Sequence, residues 1–125
     1  MSPDDELKFP LFEVVYSIVL AIERARLQFP KRLKFSIGER LSLQGMAAIE
    51  LTVSAVVDKE ARLDVLKKLI TCLETLRILI RLCHDLQAIS GKQYGRFSEM
   101  IVDALSQGVG FLKSTKKSTT ASNQV

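Results

Sequence analysis

Residues Leu63 to Ile89 limit most strongly what this chain can become. They read as one long helix, and its second half, Leu76-Arg77-Ile78-Leu79-Ile80-Arg81-Leu82-Cys83-His84, is apolar almost all the way round apart from two arginines four residues apart. On a helical wheel Leu66, Ile70, Leu73, Arg77, Arg81 and His84 share one narrow arc. Leu69, Cys72, Leu76, Leu79, Ile80 and Cys83 fill the neighbouring arc. A helix this apolar needs neighbours on more than one side, from its own fold, from another subunit, or from both.

The 125 residues suffice for one domain with a real core. Hydrophobic residues make up 47% and aromatics 6%, dominated by Leu, Ile, Val and Ala, which favours packed helices over sandwiches or barrels. Eighteen Lys and Arg face fourteen Asp and Glu, a formal charge of +4. Asp4-Asp5-Glu6 with Lys8 contribute −2, so the rest carries +6, enough to suggest a polyanionic partner or, equally, to serve solubility. Cys72 and Cys83 are eleven residues apart on one helix, roughly 16 Å at about 1.5 Å per residue, far beyond disulfide reach. They read as core residues of a reducing compartment. No secretory signal is visible, and the longest nearly uncharged run, Val14 to Ile22, is far shorter than the ~20 residues of a membrane span. The expectation is a soluble cytoplasmic protein without a membrane partner.

Residues 1–8 are polar and predicted to be flexible. Pro10 suits the first turn of a helix over 10–28, whose Leu11, Val15, Ile18, Ile22 and Ala25 recur at helical spacing. Phe29-Pro30 ends it. After the basic connection Phe29 to Phe35, Ser36 and Glu39 fit a capping box for a second helix, with apolar Leu41, Leu43, Met46, Ala47, Ile49, Leu51, Val53, Val56 and Val57. Its Gly45, Ala47, Ala48 and Ala55 would admit a close neighbour. Asp58 can cap the third helix, and Ser90 with Gln93 starts a fourth bearing Tyr94, Phe97, Ile101, Leu105 and Leu112. Residues 115–125 have almost nothing to bury and are predicted to be a disordered polar tail. Four helices with short loops predict an antiparallel up-down-up-down bundle over residues 9–114.

Motifs for catalysis are scarce, and no enzymatic activity or cofactor is expected. His84 is the only histidine, so a zinc site or a Ser-His or Cys-His pair would rest on it alone. Cys83 projects about 100° away from it. No Glu-x-x-His and no glycine-rich phosphate loop occurs, so neither a metal nor a nucleotide cofactor is implied. The basic residues carry more. Arg24, Arg26, Lys31, Arg32, Lys34 and Arg40 set six positive charges against Glu39 within seventeen residues, a density that binds phosphates or simply solvates a loop. Arg77 and Arg81 need a carboxylate, a phosphate, carbonyls or water. They pair internally, for instance with Glu74, or face a partner.

Several of these segments together resemble a known family. Phe29-Pro30-Lys31 is followed by Phe35-x-x-Gly38-x-Arg40, then by Leu76-Arg77-x-x-x-Arg81-Leu82, Ile89-Ser90-x-x-Gln93-Tyr94 and Gly108-x-Gly110-Phe111-Leu112-Lys113-Ser114. In order and spacing they resemble the four-helix-bundle proteins encoded in intervening sequences of 23S ribosomal RNA genes, together with the accessory variability determinant (Avd) proteins of diversity-generating retroelements. Phe111 stands where that family often has tryptophan. The resemblance implies a ring-like homopentamer. In the Avd branch it implies a basic surface for the reverse transcriptase and for RNA or DNA, supporting mutagenic cDNA synthesis. Arg77 and Arg81 match the paired arginines of the family's third helix, implying partner or nucleic-acid contact, and the first connection matches loosely. The other branch implies an interaction protein without a reverse transcriptase.

Overall fold

The computed structural model describes residues 9–123 and side chains as far as Thr119; the expected flexible segment 1–8 lies outside the described residues. The elements are α1 (Pro10–Arg26), the single-turn α2 (Lys31–Lys34), α3 (Ile37–Val57), α4 (Arg62–Asp85) and α5 (Gly91–Asn123). The four long helices pack in chain order, α1 beside α3, α3 beside α4, α4 beside α5, and α5 back against α1. Their contacts run antiparallel throughout. Arg26 meets Ser42 and Val19 meets Gly45; Gln44 meets Cys72 and Ala55 meets Arg62; His84 meets Tyr94 and Ile70 meets Gly108; Phe9 meets Phe111. The chain is all-α, its four helices packed as in a bundle.

The buried positions repeat every seven residues. In α4 they are Leu66, Leu73 and Ile80, with Leu69, Leu76 and Cys83. In α1 they are Leu11, Ile18 and Ala25, with Val15 and Ile22. A seven-residue repeat slips about 20° per heptad on a straight wheel. Over the two heptads from Leu66 to Ile80 the buried stripe therefore rotates away from the arc that Leu66 shares with Arg77 and Arg81, and both arginines emerge on the surface.

Helix α3 turns inward the small residues Gly45, Ala48 and Ala55 that were expected to admit a close neighbour, in place of several larger apolar ones. Its core heptads are filled by Gly38, Gly45 and Thr52 with Leu41, Ala48 and Ala55, while Leu43, Met46 and Val57 point outward. Space decides this. A Cβ placed on Gly45 would lie 3.3 Å from both Ile22 Cδ1 and Val19 Cγ2, so α1 approaches α3 over a groove of small side chains.

The helix ends show how local chemistry sets boundaries. At Ser90 the expected box forms, with Gln93 N–H donating to Ser90 Oγ (3.1 Å) and Ser90 N–H to Gln93 Oε1 (2.8 Å). At Ser36 it does not. The preceding turn α2 takes the hydroxyl, which donates to the Arg32 carbonyl at 3.0 Å. Asp58 Oδ1 accepts from Ala61 N–H at 3.1 Å just ahead of α4. Helix α5 runs through Gly108 and Gly110 to Asn123, beyond the Thr115 boundary that composition suggested. Thr115 is half-buried and Lys116 to Thr119 are exposed, so over residues 116–119 the helix buries little of its side chains.

Helix α4 ends in a Schellman motif. Ala88 N–H donates to the Cys83 carbonyl (2.8 Å) and Gln87 N–H to that of His84 (2.9 Å), with Gln87 at φ 62°. Left-handed backbone costs any residue with a Cβ. Gln87→Gly is therefore expected to stabilise the fold by about 0.5–1 kcal/mol, visible as a raised urea midpoint at unchanged slope. At the other end of the same helix, Arg62 donates from Nε to the Ala55 carbonyl (2.7 Å) and through Nη2 to that of Val56 (2.9 Å). Its guanidinium lies 5.0 Å from the Phe111 ring centroid. One side chain thus closes the open carbonyls of α3 and ties α3, α4 and α5 together. Arg62→Ala should cost about 2–3 kcal/mol in chemical denaturation, and Arg62→Lys, lacking the planar fork, should recover less than half.

Candidate nucleic-acid interface

The antiparallel topology brings the first connection, the second half of α4 and the start of α5 to one end of the bundle. Residues 22–40 and 77–98 carry ten Lys and Arg against Glu23, Glu39 and Asp85, a net +7. The rest of residues 9–114 carries five against eight, a net −3. The charge is separated along the bundle axis, which a total of +4 conceals. An end with a net positive charge of this size focuses potential toward a polyanion.

Not all the candidate residues serve the surface. Arg24, Lys31, Arg32 and Arg40 are exposed, and Lys34 is half-buried. Arg26 turns inward. Its Nε donates to the Lys34 carbonyl at 3.0 Å and its Nη1 to Ser42 Oγ at 3.1 Å, and its side chain packs over Gly38, where a Cβ would lie 3.3 Å from Arg26 Cγ. Its guanidinium therefore staples the first connection to α3 while adding charge to that end. The small residues Gly38 and Ser42, four apart, were the sequence signal for its seat.

Arg77 and Arg81 stay on the surface. Arg77 Nη1 lies 3.7 Å from Glu74 Oε2, with side chains 53% and 52% exposed, and Arg81 Nε lies 3.9 Å from Asp85 Oδ2, at 70% and 63%. Pairs this long and this wet are worth about 0–1 kcal/mol, so a phosphate can displace either acid at little cost. Between and beside them Ile78 and Leu82 are also exposed, the first by 61%. This face of α4 therefore offers cations interleaved with apolar side chains. The sequence left internal pairing or a partner open for these arginines, and the geometry is a loose surface pairing that leaves the guanidinium forks accessible.

Other residues were missed. Lys92 and Arg96, in the first turns of α5, join the same end. They attract no attention in sequence because they lie more than fifty residues from the first connection, and only the antiparallel return brings them beside it.

The groups capable of catalysis are restrained. The His84 ring stacks on Tyr94 at 4.8 Å between centroids, and its Nδ1 is 3.8 Å from Asp85 Oδ1. Burial pushes the Cys83 thiol up from 9.0 to about 11. Burial also raises Cys72, opposed by a Gln44 hydrogen bond and the charge of Arg40. Both sulfurs are protonated thiols at neutral pH and poor nucleophiles. Among the described residues no three His, Cys, Asp or Glu side chains gather as a metal site.

No family model matches the chain, and no curated protein or solved structure matches it. The likeness to the intervening-sequence and Avd proteins rests on the motifs quoted above.

Proposed function

We propose that this protein is a non-enzymatic accessory factor that binds nucleic acid through its basic end and acts with a reverse transcriptase, in the manner of the Avd proteins of diversity-generating retroelements. The observation that supports this reading is the axial separation of charge, +7 at one end against −3 over the remainder of residues 9–114, with Arg77 and Arg81 held only by loose surface pairs. Each phosphate neutralised releases condensed counterions, so the affinity is electrostatic and sequence-tolerant. Template RNA or cDNA is the polyanion in this reading, and the enzyme supplies the chemistry.

Assembly belongs to the same proposal. The outward Leu43, Met46 and Val57 of α3 and the exposed Leu27 and Phe35 offer apolar surface for sister copies. A ring of basic ends would raise affinity by multivalency without new contacts. The same apolar surface favours a second reading, an interaction protein of the ribosomal intervening-sequence type with no reverse transcriptase partner. Three measurements on the purified chain separate them: native mass, the salt dependence of binding to single-stranded RNA and DNA, and co-purification with any reverse transcriptase encoded beside it. Accessory function predicts an oligomer, a steep loss of affinity with salt, and retention of the enzyme. Tight oligomers that ignore both nucleic acid and enzyme would leave the intervening-sequence reading.

A further inference from the structure

On the side of the bundle where α5 returns against α1, the two helices part to leave a cleft of about 340 Å³. This lies at the small end of the range of about 300–1,000 Å³ typical of small-molecule sites. Arg24 from α1, Gln28 from the turn after it, and Gln93 and Arg96 from α5 contribute polar groups, and Phe97 and Met100 contribute apolar wall. Neither arginine makes an ion pair or a hydrogen bond with another described residue. Arg26, Arg62, Arg77 and Arg81 have such partners, whereas Arg32 and Arg40, also without one among the described residues, do not line the cleft. Two uncompensated guanidiniums thus line one small cleft, at the end of the molecule that carries the +7 charge.

We propose that this cleft binds a phosphomonoester carried on a planar or apolar body, such as a nucleoside monophosphate. Two guanidinium forks match one phosphate group carrying nearly two negative charges at neutral pH, whereas a single carboxylate would leave one fork without a counter-charge. The apolar side, with Phe97 and Met100, takes the body of the ligand, and the carboxamides of Gln28 and Gln93 supply donors and acceptors for its polar edge. Gln93 is held in place for this, because its Oε1 accepts from Ser90 N–H at 2.8 Å, which leaves Nε2 to donate. A free mononucleotide and the phosphorylated 5′ end of a strand present the same chemistry. The site does not depend on the basic end binding long nucleic acid.

Titration calorimetry on the full chain tests it with adenosine 5′-monophosphate against adenosine, and with a short oligonucleotide bearing a 5′-phosphate against the same strand with a 5′-hydroxyl. At least one phosphorylated probe should bind about tenfold more tightly than its unphosphorylated counterpart, the loss expected when charge-assisted hydrogen bonds are removed. A gain confined to the oligonucleotide identifies a strand end as the ligand, and a gain with the mononucleotide identifies a free nucleotide. The double variant Arg24→Gln/Arg96→Gln should lose that gain while keeping its thermal midpoint, since both side chains are exposed. The proposal is overturned if neither phosphorylated probe shows the gain, or if the Arg24 and Arg96 double variant retains it. Salt-dependent binding of long RNA surviving in that case would leave the proposed function standing without this cleft.

Discussion

Reversing Arg77 and Arg81 to glutamate should lower affinity for single-stranded RNA by at least about a hundredfold at low salt while the protein stays folded. Each guanidinium that meets a phosphate contributes roughly 1.5–3 kcal/mol as a charge-assisted bond, and two lost together amount to a factor of about 10² to 10⁴. The slope of log affinity against log salt should also shallow by about 1.4, since each single-strand phosphate contact contributes about 0.7. The fold has little to lose. The pairs to Glu74 and Asp85 are long and more than half exposed, so breaking both and adding like charge on α4 costs about 1 kcal/mol or less. Binding isotherms at several salt concentrations, read beside circular dichroism, check both halves of the expectation. Unchanged affinity would remove these residues from the interface, and loss of helicity would give them a structural role that their exposure does not suggest.

Gly45→Leu should unfold the bundle or cost at least about 3 kcal/mol. A bare Cβ at this position already lies 3.3 Å from Ile22 Cδ1 and Val19 Cγ2, and Leu brings three further carbons into a contact with no free volume. Ile22 is fully buried and Val19 nearly so, with a stiff β-branched side chain, so neither can move aside without displacing α1. Overpacking of this kind typically costs about 1–3 kcal/mol, and a helix–helix seam built on glycine lies at the upper end or beyond. Gly110→Leu is the matched control. No heavy atom lies within 4 Å of a Cβ at Gly110, and the residue is exposed, so there the better helix propensity of leucine should stabilise by a few tenths of a kcal/mol or more. Urea denaturation of the two variants gives the comparison directly.

The helices themselves were legible because their signals are local. Pro10 sits at the first position of α1, Phe29-Pro30 follows its end, and Ser90 with Gln93 closes the box that opens α5. Signals failed where a neighbour competed for the same group. Ser36 has the residue pattern of a cap, yet the unforeseen turn α2 offers its hydroxyl a carbonyl first. Gln87, with no glycine signature, adopts left-handed backbone because the Schellman bonds to Cys83 and His84 hold it there. The candidate site was legible in part. Composition exposed the density of charge between Arg24 and Arg40, but the inward turn of Arg26 depends on the pocket over Gly38 and the hydroxyl of Ser42, which belong to another helix.

Residue order along the chain determined that there are four long helices, roughly where each begins, and that α4 must be covered on several sides. These properties follow from backbone hydrogen bonds and apolar spacing within a few turns. The inner face of α1 was legible from its spacing, but only packing decided which faces of α3 and of the second half of α4 are inside. The seven-residue supercoil rotated Arg77 and Arg81 out of an arc shared with leucine, and the closeness of α1 turned small residues of α3 inward in place of larger ones. Packing likewise gathered Arg24, Arg77 and Arg96 at one end, for charges distant in sequence become one field only when antiparallel helices return them to the same place.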